Sequence, residues 1–214
     1  MPPSKTDTHS TENHAARVDT ATPGARPERG LGALLLVSGL IGLVAAVVLL
    51  VEKMELLANP DYIPSCNVNP VLSCGSVMTT PQAEVFGIPN PILGIAGFAA
   101  VAAIGASLLA GARFASWFWV VVQAGVTFAV VFVHWLIYQS LYVIGALCPY
   151  CMMVWAVTIP IFWYVTTANL HRFGAGGKAT AVLTEYRGAI LTGWYLVILA
   201  LIAARFWDYW TTLA

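Results

Sequence analysis

Five apolar stretches of membrane-crossing length constrain this chain more than any other feature: residues 31–51, 92–112, 116–138, 147–168 and 189–207. A helix needs about 20 apolar residues to cross a hydrocarbon core of roughly 30 Å. The 214 residues are 59% hydrophobic and 9% charged, against roughly 25% charged in an ordinary soluble domain. The expected fold class is therefore an all-α integral membrane protein. The first stretch is 21 residues long, beyond the usual apolar core of a cleaved signal peptide, about 7 to 15 residues, so it reads as a retained helix.

Formal charge sums to zero, which gives no argument for nucleic acid as a partner. The placement of the basic residues is more telling. With a cytoplasmic N-terminus, five crossings put Lys5, Arg17, Arg26, Arg29, Arg113, Arg172, Lys178 and Arg187 inside and only Lys53 and Arg205 outside. That distribution obeys the positive-inside rule. Acidic residues carry little topological weight and are set aside.

Residues 1–30 are rich in Thr, Ser, Pro and charge and read as a disordered cytoplasmic tail. The outer loop 52–91 differs from its surroundings, with prolines at 60, 64, 70, 81, 89 and 91, which rule out one long helix. Residues 70–82 have room for a helical turn or two, and 85–88 are apolar enough to dip into the membrane surface. Residues 139–146 form a short outer loop, and 169–188 a basic, solvated connector on the cytoplasmic side. The fifth span and a short outer end occupy 189–214, leaving no room for a fused soluble domain of about 100 residues. A soluble redox partner is thus expected to be a separate protein.

All four cysteines fall on the expected outer side, where disulfides are permitted. Scattering through the spans would be expected of cysteines used only as small buried hydrophobes. In Cys148-Pro-Tyr-Cys151, proline suits the first helical position and places Cys148 at the N-cap. The partial positive charge of the helix start then favours its thiolate, the attacking species in disulfide exchange. Cys151 lies one turn on, on the same face and close enough to pair. Trp155, four residues further, either lines a pocket for a flat ring or anchors the helix at the interface, where Trp is common.

Cys66 and Cys74 are too widely spaced for a zinc ribbon or a thioredoxin motif, and no metal site is expected. Spacing alone favours a static staple across the loop. The second pair on the same face opens the alternative of a shuttle, exchanging with the Cys148–Cys151 bond through a mixed disulfide. His134, inside the third span, reads as a hydrogen-bonded packing histidine.

Four segments together resemble the vitamin K epoxide reductase (VKOR) family in its bacterial homologues: Pro64-Ser-Cys-Asn-Val-Asn-Pro, Ser73-Cys-Gly-Ser-Val-Met, Phe86-Gly-Ile-Pro-Asn-Pro and Cys148-Pro-Tyr-Cys. The likeness runs from about residue 31 to 168, in the family's order. It implies a VKOR-like four-helix bundle around a quinone, here with a fifth transmembrane helix, and a long outer loop with shuttle cysteines. By this resemblance Cys66 and Cys74 are the shuttle pair, Cys148 and Cys151 the active-site pair, and Cys151 the one that reacts with quinone. It also implies that Asn90 hydrogen-bonds a quinone carbonyl, that Trp155 takes a pocket position held by tyrosine in animal enzymes, and that Thr80 supplies a nearby hydroxyl.

The implied activity is that of a quinone-dependent thiol oxidoreductase. It would reoxidise a separate DsbA-like, thioredoxin-fold protein at the outer face of a bacterial inner membrane, using menaquinone or ubiquinone from the membrane pool. Pair order separates this from the DsbB type, in which the C-x-x-C motif comes in the first outer loop. The alternative from another class is a non-catalytic membrane scaffold or transporter with structural disulfides.

Overall fold

The computed structural model describes residues 25–59, 61–174 and 177–212. Residues 1–24, most of the expected disordered tail, lie outside them. Helix α1 (Ala25–Ala58) starts six residues before the expected span and ends just before Asn59-Pro60. After the loop come a short helix α2 (Cys74–Met78) and a 3-10 turn (Pro81–Glu84), where one or two helical turns were anticipated. Val85, Phe86 and Ile88 are exposed, consistent with an apolar surface. Helices α3 (Asn90–Leu109), α4 (Ser116–Tyr138) and α5 (Pro149–Arg172) complete the bundle. An amphipathic helix α6 (Lys178–Glu185) leads to α7 (Arg187–Arg205) and a final turn α8 (Trp207–Thr211).

Among the described residues five helices are long and apolar enough to cross a membrane, and the chain is a multi-pass membrane protein. α1 packs along α3 and against α5, and α4 packs on α5. The α1–α3 seam is close. A Cβ added at Gly105 would meet the Leu36 amide nitrogen at 2.4 Å, and one at Gly39 would meet that of Ala102 at 2.7 Å. Only residues without side chains let two backbones approach so nearly. By contrast α3 and α4, though consecutive, barely touch.

Two expectations for connectors need correction. Residues 139–144 are not a free loop but a π-helical continuation of α4, closed by Gly145 in the left-handed region at φ 71°. The last carbonyls of a helix have no intrahelical donor. Arg205 of α7 donates from Nε to the Leu141 carbonyl at 2.8 Å. Likewise 169–188 is largely helical, because α5 runs on to Arg172 and α6 follows.

Inside α5, Pro160 has no amide hydrogen to give the Ala156 carbonyl. Tyr195 of α7 donates its hydroxyl there at 2.7 Å. His134 packs as expected: Trp194 donates to its Nε2 at 2.9 Å, and the other ring nitrogen lies 2.7 Å from the Val130 carbonyl. Indole is a donor only, so Nε2 accepts and Nδ1 carries the hydrogen.

Candidate functional site

The site lies at the end of the bundle that carries all four cysteines, and main-chain hydrogen bonds set its register. Leu147 N–H donates to the Val71 carbonyl at 2.8 Å and Ser73 N–H to the Leu147 carbonyl at 2.9 Å, forming a lone parallel bridge. Cys148 follows the bridged Leu147 by one residue and Cys74 follows the bridged Leu72 by two, which brings the two cysteines together. Cys66 and Cys74 form a disulfide, and Cys74 Sγ sits 3.1 Å from Cys148 Sγ. The sulfurs of Cys66, Cys74 and Cys148 all lie within 4.8 Å of one another. Two of the three share a bond, so of this trio Cys148 keeps a thiol.

The loop is fastened to α1 by an adjacent pair of charged residues that the sequence reading passed over. Glu52, 7% exposed, accepts from the Ser65 hydroxyl and amide and from the Tyr62 hydroxyl. Lys53, 6% exposed, donates to the Met78 carbonyl at 2.7 Å and pairs with Glu84 at 2.9 Å. Their signal was visible as a Glu-Lys step at the end of an apolar run. Within the loop, Asn67 accepts from the Gly75 amide, Asn69 accepts from the Val71 and Leu72 amides, and Ser73 caps α2. The asparagines between Cys66 and Pro70 thus shape the turn that returns the chain to Cys148.

Cys148 is the N-cap of α5 with Pro149 following, as the motif predicted. Its thiol is held below the ordinary cysteine range, chiefly by a hydrogen bond from the Cys151 thiol and then by the Cys151 and Tyr150 amides, with burial opposing. Both Cys148 and Cys151 are thiols.

Cys151 opens onto a cavity of about 590 Å³, a size typical of small-molecule sites. Asn90, Thr80 and Trp155 also line it. Asn90 Nδ2 donates to the Gln82 carbonyl at 2.7 Å and its Oδ1 accepts from the Val85 amide at 3.2 Å, which leaves one amide hydrogen unused. Thr80 gives its hydroxyl hydrogen to the Val77 carbonyl at 2.8 Å. Trp155 is 3% exposed, and its indole N–H has no partner. A buried donor left unsatisfied costs about 1–3 kcal/mol unless something accepts from it. With the spare Asn90 hydrogen in its wall, the cavity fits a ring that bears a hydrogen-bond acceptor, such as a quinone.

Away from the cysteines the cavity becomes largely apolar, running between α3 and α4 along residues such as Gly97, Val101, Ile104 and Gly125. On α3 alone the wall from Asn90 to Ile104 covers roughly 20 Å at helical rise. Phe86 of the loop packs on Phe128 and Phe132 of the cavity wall.

Comparison with known families agrees with this geometry. The sequence pattern of the vitamin K epoxide reductase family matches residues 33–166. The chain belongs to the vitamin K epoxide reductase family. No curated protein matches it. Membership makes it a membrane thiol–disulfide oxidoreductase, and the matched region ends before α6 and α7. In this VKOR-family chain, the residue that sequence reasoning missed in the cavity wall is Gln139, at the start of the π segment. It had been taken as the first residue of a loop.

Proposed function

We propose that the protein carries electrons from a separate DsbA-like dithiol protein to a membrane quinone, leaving a disulfide in the partner. The single observation that carries this reading is the 3.1 Å approach of Cys74 to Cys148, with Cys151 one helical turn further on at the cavity. Cys74 faces inward, so Cys66 is the loop sulfur available to a partner once the loop is displaced. The partner's first thiolate attacks Cys66 and expels Cys74, and its second thiolate then displaces Cys66. The partner leaves as a disulfide and the loop as two thiols.

The Cys74 thiolate next attacks Cys148 of an oxidised Cys148–Cys151 pair and expels Cys151. Cys66 then attacks Cys74 and expels Cys148. One bond forms for each that breaks, and two electrons have moved to the inner pair. A bound quinone would supply the final acceptor: the Cys148 and Cys151 thiols re-form their disulfide, and their two electrons and two protons make the hydroquinone. Cys151 would face the ring, and Trp155 and the spare Asn90 hydrogen would donate to carbonyl oxygens. Thr80 holds the wall beside them. The α3–α4 gap admits a prenyl tail from the bilayer.

Direction follows from potential. A DsbA-like couple near about −120 mV is itself oxidising, so only a continually reoxidised acceptor regenerates it. The catalytic unit is residues 31–168; the basic-residue distribution supports a cytoplasmic N-terminus with the cysteine end outside, and the resemblance to bacterial homologues supports a bacterial inner membrane.

The test is thiol-driven quinone reduction by purified protein in detergent, with a DsbA-like dithiol as donor and ubiquinone or menaquinone as acceptor. Turnover is expected, Cys151→Ser is expected to abolish it, and the same variant should accumulate a Cys74–Cys148 mixed disulfide. Undiminished turnover by the variant removes Cys151 from the path. A Cys66–Cys74 bond indifferent to mild reductant, together with no quinone reduction, would instead identify an inert scaffold.

A further inference from the structure

The loop disulfide joins two stretches of chain that are held very differently. On the Cys74 side, Val71 and Ser73 bond Leu147, Lys53 donates to the Met78 carbonyl and pairs with Glu84, and Asn90 bonds the backbone of Gln82 and Val85. These anchors come from α1, from α3 and from the approach to α5, and together they fix Cys74.

The Cys66 side has one anchor. Among the described residues, every hydrogen bond that 61–66 makes beyond 59–67 goes to the Glu52 carboxylate: from the Tyr62 hydroxyl at 3.0 Å, from the Ser65 amide at 3.3 Å and from the Ser65 hydroxyl. A cleft of about 540 Å³ is lined by Ile63 and Pro64 of this strap and by Ser76 and Thr79 across from it, so the two sides are not close-packed there. Beyond the strap, Asn67 accepts from the Gly75 amide and the Ser73 hydroxyl, which ties the far end to the fixed side. Cys66 itself is 5% exposed and clusters with Leu49, Cys74, Met78 and Cys148. A partner's thiolate reaches it only when the strap lifts.

We propose that Glu52 is a positioning residue that selects which loop sulfur a partner meets. While its carboxylate grips Tyr62 and Ser65, Cys66 stays among its buried neighbours; when those hydrogen bonds break, the strap lifts and Cys66 pivots outward on the disulfide, leaving Cys74 beside Cys148. This rests on the relay read above and deepens it by assigning the lifting to one side chain. Lifting is a local opening that precedes exchange, so the rate of partner attack follows the population of the lifted strap.

The test measures the two sides of the loop separately. In a Cys148→Ser/Cys151→Ser background, reduction of the loop disulfide by a thioredoxin-fold dithiol protein is followed by acid quench and alkylation. Glu52→Gln keeps the shape but puts an amide nitrogen where a carboxylate oxygen accepts. It should speed reduction about tenfold, with the acid-trapped mixed disulfide on Cys66. Tyr62→Phe, which leaves α1 untouched, should speed it about threefold, and it carries both measurements should Glu52→Gln not fold. The second measurement takes a Cys66→Ser/Cys151→Ser background, lets Cys74 and Cys148 bond, and reads the equilibrium of that bond with glutathione. Glu52→Gln should leave this equilibrium constant within about twofold, whereas Lys53→Met should weaken the bond about tenfold. A merely loosened fold would shift both measurements in Glu52→Gln. That result overturns the assignment, as does attack no faster in either strap variant, or a partner trapped on Cys74. A parent loop disulfide that the dithiol protein never attacks overturns the relay itself.

Discussion

α1 and α7 both lie against the helices that build the cavity, yet different forces hold them. α1 meets α3 through missing side chains: Gly39 and Gly105 let the backbones come so close that an added Cβ would overlap main-chain nitrogen. α7 meets α4 and α5 through side chains that reach into faults in those helices. Tyr195 serves the carbonyl that Pro160 abandons, Arg205 serves a π-segment carbonyl, and Trp194 serves His134. Close packing gives a fixed distance, and α1 needs one, since Glu52 and Lys53 at its end fasten the cysteine loop. Hydrogen bonding at faults preserves an irregular shape instead. The π segment so preserved carries Gln139 to the cavity wall.

The harshest way to break this contrast is to put a side chain into the α1 seam. Gly105→Val would drive carbon into the Leu36 and Gly32 main chain, and neither backbone can move aside as a flexible side chain could. The expected cost is about 3 kcal/mol or more, seen as a large fall in the thermal midpoint in detergent and loss of the folded fraction on purification. A variant that melts with the parent would mean the seam is loose, and the loop anchors would need another source of rigidity.

The spans were legible in sequence because hydropathy acts locally, and the Ser116–Tyr138 helix has the ends read from its residues. The four cysteines were legible for a different reason, as sulfur chemistry limits what two pairs on one face can do. What was not legible depends on partners distant in sequence. Gln139 and Ser140 look like the start of a loop until Arg205, 64 residues beyond Leu141, is seen to take the Leu141 carbonyl. The meeting of Cys74 with Cys148 rests on a bridge between residues 72 and 147, and no spacing rule anticipates it. Asn90 was expected to serve the ring, and its two bonds to the 82–85 backbone add a fastening role that residue type alone does not reveal.

A middle-sized effect should come from the α5 fault. Tyr195→Phe leaves the Ala156 carbonyl without a donor at membrane depth, at a cost of about 1–3 kcal/mol. Pairing it with Pro160→Ala sharpens the point. An alanine at 160 returns the amide hydrogen, so Tyr195→Phe should cost much less in that background. Equal cost in both backgrounds, measured by unfolding in mixed micelles, would show that Tyr195 acts by packing and that the proline fault needs no repair.

The smallest effect belongs to Trp194 and His134, for a reason that separates them from Tyr195. His134 Nδ1–H is already committed to the Val130 carbonyl, one turn back on its own helix, so losing the indole orphans a single ring acceptor rather than a main-chain group. Side-chain hydrogen bonds between membrane helices contribute about 0.6 kcal/mol on average, because the separated helices find other partners. Trp194 also packs edge-on against Phe162, and Trp194→Phe alone would mix that loss with the hydrogen bond. A cycle combining Trp194→Phe with His134→Leu isolates the bond, and the expected coupling is about 0.6 kcal/mol. A coupling above the Tyr195–Pro160 value would reverse the ranking. It would mean that α7 is held chiefly by its side-chain pair, with repair of backbone faults a secondary consequence of where the helix already lies.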